Sequence, residues 1–414
     1  MPSSPQNDAA ASPKTLSTPT LVLMAVACGL TVGGNYFNQP LLHSIAIALN
    51  VGDATAAASV TVAQVAYALG LLFLVPLGDK VEHKRLVIGL MLLTALGQFI
   101  SGFAVNIAML FIGTAMAGLF SVAAAVLVPM AAALSAPSQS GRAVGLVMSG
   151  LLTGILLARS VSGLLSGLGG WDTAYRLSAV TMVVVSWALW RSLPYSRNPK
   201  RLGYVQMLAS MLVLVREQPR LRSRSLLGGL SFGSISALFS TMALMLAGPA
   251  HRMSDVEIGL IGLAGVAGAV MANVAGKLAD RGWGKTITAT CTLLLIMSWA
   301  TLWVGTISLW WFILGMTVSD LAVQGIHINN QTIIYTMLAH ARSRANAVYM
   351  TVYFIGGASG SALGAAAWGY DGWTGACGVG LMMALLTALA LWYDEAVVKR
   401  TPLPQRVLES TDRP

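Results

Sequence analysis

The sequence predicts an all-α membrane protein of twelve transmembrane helices, built as two six-helix repeats with both termini in the cytoplasm. Three observations predict this. Charged residues make up only 10% of the chain and hydrophobic ones 56%, whereas a soluble domain carries about 25% charged residues. The apolar residues fall into long runs of the roughly 20 residues a helix needs to cross a bilayer core. The chain also matches itself at a nearly constant offset of about 200 positions.

The elements follow in order. Residues 1–18, rich in Ala, Ser and Pro, read as a disordered cytoplasmic tail. The apolar run behind it is too long for a signal-peptide core and reads as a first helix that is kept. The expected spans of the first bundle, 19–193, are 19–48, 56–78, 86–105, 108–134, 143–168 and 174–193. A basic linker, 194–224, follows. Those of the second bundle, 225–393, are 225–249, 256–276, 286–305, 308–338, 345–368 and 374–393. Residues 394–414 form a cytoplasmic tail. The runs are too long and too unbroken for strands.

Charge gives the orientation. With the N-terminus in the cytoplasm, all but three of the 25 Lys and Arg residues fall on that side, the three being Arg159, Arg176 and Arg252. This is the bias of the positive-inside rule. The formal charge of +10 therefore faces anionic lipid, not nucleic acid. Within the linker, Tyr204 to Arg216 is mostly apolar with basic flanks. It reads as an amphipathic helix at the membrane surface, or as a plain basic connection.

The repeat is carried by five matches. Asp79 in PLGDKVEHKR corresponds to Asp280 in GKLADRGWGK, and Arg142, Met148, Gly154 and Trp171 correspond to Arg344, Met350, Gly356 and Trp373. These fall at equivalent places in the six-plus-six layout. Parallel repeats related by an axis along the membrane normal are a known transporter plan.

The loop Leu77-Gly78-Asp79-Lys80 with His83-Lys84-Arg85, and its second copy Gly276-Lys277-Leu278-Ala279-Asp280-Arg281, resemble the motif between helices two and three of the major facilitator superfamily. Val75 and Glu82 stand where that motif usually has glycine. The segments Asn35-Tyr36-Phe37-Asn38-Gln39-Pro40-Leu41-Leu42 and Gly154-Ile155-Leu156-Leu157-Ala158-Arg159 resemble bacterial drug or sugar efflux permeases of that superfamily. The resemblance implies a conformational latch at Asp79, Lys84, Arg85, Asp280 and Arg281. It also implies that the first, fourth, seventh and tenth helices line a central cavity. The glycine-dense fifth helix resembles the antiporter motif of drug:proton exchangers, without its usual proline.

An ionisable residue inside a bilayer is costly, so it marks a functional site by default. The layout places two deep inside: Asp320 in the tenth helix and Arg159 in the fifth. Gln324, His327 and Gln331 follow Asp320 on one helical face, bordered by Asn330. A stripe of this kind cannot face lipid, so it should face a cavity. Asp320 and His327 are candidate proton-coupling groups. Asn35, Asn38, Gln39, Gln324, Asn330, Gln331, Tyr349, Tyr353 and Arg159 are candidate cavity residues. The first-helix amides could instead bridge helices, and Arg159 could either meet an anionic substrate or hold the two halves together.

The expected function is secondary active transport by alternating access, as proton-coupled efflux of a small organic molecule in antiport. The alternatives are proton-coupled uptake of a small organic anion and a non-transporting membrane sensor or scaffold. The expected partners are the substrate, protons and the lipid bilayer of a bacterial inner membrane, with the protein as a monomer and without nucleic acid. No cofactor, metal or enzymatic activity is expected: the sequence shows no nucleophile–base pair, metal-ligand spacing or P-loop. Cys28, Cys291 and Cys377 are scattered in or beside apolar runs and form no framework.

Overall fold

In the computed structural model, residues 16–400 are described, other than 137, 197–202, 266–270, 272–274, 276–277, 279–280 and 339–340 and the side chains of 79 and 400. Among the described residues all regular secondary structure is helical. In chain order the helices are α1 Thr18–Gly33, α2 Leu42–Ala48, α3 Asp53–Phe73, α4 His83–Gly102, α5 Ile107–Phe120, α6 Ala123–Ala133, α7 Ser140–Gly169 and α8 Thr173–Ser192. They continue as α9 Tyr204–Glu217, α10 Pro219–Ala247, α11 Asp255–Ile261, α12 Gly284–Val304, α13 Leu309–Met337 and α14 Arg342–Arg400.

Among the described residues, nine helical stretches are long and apolar enough to cross a membrane. The last, Arg342–Lys399, has 58 residues and would reach about 87 Å if straight, nearly three bilayer cores. It is divided at Asp371–Gly372, where Gly372 adopts φ +52°, a region open to glycine at no steric cost. This break falls between the two spans expected at 345–368 and 374–393. The 20-residue α8 occupies the sixth expected span. Only the first turns of the eighth, α11, fall among the described residues as a continuous helix.

The surface is apolar where a soluble protein would be polar. On α8, Leu177, Val180, Val184 and Trp187 are each at least 50% exposed. Their spacing of three or four residues makes one lipid-facing stripe.

Local chemistry fixes the ends. The Glu82 carboxylate accepts hydrogen bonds from the backbone N–H of Lys84 (3.0 Å) and Arg85 (2.8 Å), which caps α4. It also accepts from Ser196 N–H, 3.2 Å away. Glu82, which departs from the family's glycine, thus ties the α3–α4 loop to the end of the first half. Asn35 on the turn after α1 donates to the Ser121 hydroxyl at 2.7 Å, where the fourth span breaks between α5 and α6, eight residues before Pro129.

The repeat reappears in the packing. A methyl group on Gly154 of α7 would collide with the backbone of Gly29 on α1. One on Gly356 of α14 would collide with the backbone of Gly229 on α10. Each half therefore crosses its first and fifth helices at backbone contact, which only glycine permits.

The halves meet toward the end of the bundle remote from Thr18. There the Ser160 hydroxyl donates to the Gly259 carbonyl (2.8 Å), Ser166 to the Asp255 carboxylate (2.6 Å), Thr61 to Ser361 (2.9 Å) and the Gln64 amide to Ser236 (3.1 Å). Tyr67 and Phe354 pack edge to face below them, 4.5 Å apart. These contacts join α7 to α11 and α3 to α14 and α10.

Two expected boundaries fall inside helices. The linker was expected to extend to 224, and α10 starts within it at Pro219. The tail expected from 394 is helix as far as Arg400. Arg224 and Asp394 each ended an apolar run, and a hydropathy reading places a charge at such an end in water. In the structure they are buried against each other.

Candidate functional site

Arg159 lies where the halves join. It is 6% exposed. Its Nε donates to the Gln39 side chain at 2.6 Å, and its guanidinium lies 3.8 Å from the ring centre of Phe239 and 5.2 Å from that of Tyr36. Gln39 and Tyr36 come from the turns after α1, Phe239 from α10. A desolvated cation over an aromatic face gains about 2 kcal/mol, which helps to hold the charge in this place. Gly262, in the turn after α11, packs on the aliphatic part of the Arg159 side chain.

Asp320 of α13 is half-buried and shares an electrostatic field with Arg159. Tyr36 and Tyr353 lie in the same field. A methyl group on Gly265 would lie 3.5 Å from the Asp320 carboxylate. Gln324 follows one turn along, half-buried on the same face. His327 is a further turn on. Its Nδ1 is 3.0 Å from the Tyr349 hydroxyl, and its ring lies 4.6 Å from that of Tyr353. The Gln331 amide reaches the Met350 sulfur at 3.9 Å.

An aromatic layer continues from there. Tyr353 stacks on Phe232 of α10 at 4.2 Å, and Phe354 packs against both. Sequence reasoning found Tyr349 and Tyr353 but missed Phe232 and Phe239. The signal was available, because two phenylalanines seven residues apart lie on one helical face.

Other expected residues go elsewhere. Asn330 is fully buried and turns from the face of Asp320 toward Arg224: it accepts from the Arg224 guanidinium at 3.2 Å and donates to the Arg224 carbonyl at 3.3 Å. Its wheel position, at the edge of the polar stripe, lets it serve either side. Asn35 bonds Ser121, and Asn38 donates to Ser59 at 2.9 Å. Both amides bridge helices of the first half, the alternative the sequence left open. Gln39 contributes through Arg159. In the latch, Lys84 is half-buried and Arg85 and Arg281 are exposed. Asp280 and the side chain of Asp79 lie outside the described residues.

Sequence reasoning also missed a buried ion pair. Arg224 of α10 and Asp394 of α14 are 2.6 Å apart, with side chains 3% and 1% exposed. Ser223 donates to the Asp394 carboxylate, and Thr288 of α12 lies 3.5 Å from the guanidinium. The amide of Asn330 and the Tyr349 hydroxyl are near enough to interact electrostatically, which sets the ion-pair network beside the Tyr349–His327 contact.

A bundle of apolar helices in two related halves, with charges buried at their junction, is the architecture of a membrane transporter. Comparisons narrow this to a family. The sequence profile of the Major Facilitator Superfamily matches residues 24–361. The uncharacterized transporter YgaY of Escherichia coli is 48% identical over 377 residues, 91% of this chain and 96% of the relative. The transporter SCO4007 of Streptomyces coelicolor is 31% identical over 360 residues, 87% of this chain and 84% of the relative. Among solved structures, the nucleoside transporter NupG superposes with a TM-score of 0.73 at 12% identity, over 91% of this chain and 99% of that one. The chain belongs to the major facilitator superfamily. It is a transporter of that class and a multi-pass protein of a bacterial inner membrane.

Proposed function

We propose that the chain exports a small organic molecule in exchange for protons, with Arg159 and Asp320 as its charge switch. The observation that carries this reading is the placement of a buried arginine, in the field of an intramembrane carboxylate, where both halves meet. A buried carboxylate gains stability from a nearby cation only when it is ionised. Movement of the halves changes that distance and so changes the affinity of Asp320 for a proton. A proton can shift the equilibrium between conformations only through such a difference. The face of Asp320, Gln324 and His327, with the aromatic layer of Phe232 and Tyr353, supplies both hydrogen-bonding groups and flat apolar surface for an organic substrate.

With the basic end in the cytoplasm, the hydrogen bonds described between the halves lie on the outer side, a state that both an exporter and an importer visit in alternating access. Uptake of an organic anion is the second reading, favoured by the position of Arg159, whose planar fork can hold a carboxylate.

The test uses purified protein in proteoliposomes with a pH-reporting dye inside. A compound screen identifies the substrate, and the direction of the pH change distinguishes antiport from symport. Asp320→Asn is expected to abolish proton-driven transport while substrate exchange without a gradient persists. Full proton-driven transport in that variant would overturn the reading. Arg159→Lys should lower anion affinity at least tenfold under the second reading and leave an uncharged substrate's affinity unchanged under the first.

A further inference from the structure

Three helix ends converge at the basic end of the second half: the start of α10, the start of α12 and the last turns of α14. Between them lies a cavity of about 130 Å³, lined by Arg220, Arg224, Lys285, Lys399, Asp394 and Glu395, among others. A single water needs only about 10–15 Å³ of such space, so the cavity admits a group larger than water, a tetrahedral oxyanion among them.

The charges around it do not balance. Four cations face two carboxylates. Asp394 is already committed to Arg224 and Ser223; Glu395, Lys285 and Lys399 are exposed at the rim, and Arg220 and Arg224 form the enclosed part of the lining. Arg220 and Arg224 are close enough to repel each other. The Nε atoms of both are enclosed without a hydrogen-bond partner, although the Arg224 side chain is only 3% exposed. Enclosed donors without an acceptor are costly, and an anion in the cavity would satisfy donors and charge together. Arg and Lys donors in this number favour phosphate, whose oxygens accept from several at once.

The depth of the cavity indicates where a phosphate would come from. Trp283 is 58% exposed and Trp392 71%, with Tyr393 at 44%. Trp283 sits two residues before Lys285, and Tyr393 immediately before Asp394. Exposed Trp and Tyr gather at the level of lipid headgroups, so the cavity opens at that level.

We propose that this cavity is a phosphate site and that it takes the phosphodiester of an anionic phospholipid. Free phosphate has the same chemistry, and the experiment separates the two sources. Native mass spectrometry of the full-length protein in detergent is run with phosphatidylglycerol, with phosphatidylcholine and with inorganic phosphate as competitor. One phosphatidylglycerol should bind each protomer in preference to phosphatidylcholine. In Arg220→Gln/Lys285→Gln its affinity should fall roughly fivefold for each cation removed. Arg224 is left intact, so the buried ion pair is preserved. Lys285→Gln alone, at an exposed position, serves if the double variant does not fold. Displacement by inorganic phosphate supports the phosphate site and assigns it to the free anion. Equal binding of the two lipids without phosphate competition, or affinity unchanged in the variants, would overturn the proposal.

Discussion

In the first half, Met24, Val87 and Val128 meet in one apolar cluster. At the equivalent places in the second half, 200 to 202 positions on, stand Arg224, Thr288 and Asn330, which with Asp394 make the buried ionic network. The glycine crossings at Gly154 and Gly356 are shared, and the polar network is not. The scaffold therefore does not require it: a half of the same design closes with aliphatic side chains alone. Burying an ion pair is seldom a net gain over such packing. The network's position beside the Tyr349–His327 contact instead gives it a place next to the candidate transport site.

The largest expected effect tests this difference directly. Asp394→Ala leaves Arg224 buried without its counter-charge, and should cost about 3–5 kcal/mol in thermal unfolding of the detergent-solubilised protein. Arg224→Leu with Asp394→Leu imposes the first half's apolar arrangement and should restore most of that loss. A failure to recover would show that the network is structurally required. Next, Gly154→Ala and Gly356→Ala should each lose about 1–3 kcal/mol from forced separation of the backbones. Clearly unequal losses would mean that the two crossings are not equivalent.

A smaller effect runs the other way, because it belongs to the first half. Glu82 caps α4, whereas Trp283, the residue before α12, makes no cap bond. Glu82→Ala should cost about 1 kcal/mol and loosen the α3–α4 loop, read as faster proteolysis there. Trp283→Ala should leave the start of α12 unchanged. The smallest expected loss is that of Asn35→Ala, about 0.6 kcal/mol, the average for a hydrogen bond between membrane helices, measured by the same unfolding assay.

The fold was legible because apolar length and repeat offset are one-dimensional signals. Even the break at Asp371–Gly372 shows, as a charge and a glycine between two apolar runs. The site was legible in part. Asp320, Gln324 and His327 lie on one face because helical geometry fixes angles, and the buried setting of Arg159 followed from its depth in a span. Angle alone could not place Asn330, which sits at the edge of the stripe. Depth was the harder loss: Arg224 and Asp394 end their apolar runs, so hydropathy assigns them to water. Their burial depends on three helix ends meeting there, which no local window contains. Phe232 and Phe239 were legible only in part: their seven-residue spacing puts them on one helical face, but spacing does not say whether that face meets lipid or the cavity.

The ion pair also bears on how the protein is made. Ser223 and Asp394, which bond each other, are 171 positions apart, the first at the start of the second half and the other in its last helix. At about 5–20 residues per second, the ribosome needs about 10–30 s to reach Asp394 after it has passed Arg224. During that interval the arginine waits at the edge of the membrane without its carboxylate. The second half can therefore close only after its final helix has been inserted, whereas the apolar first half can pack as its helices arrive. Chains truncated before Asp394 should keep an assembled first half and lose the second to the cell's membrane proteases.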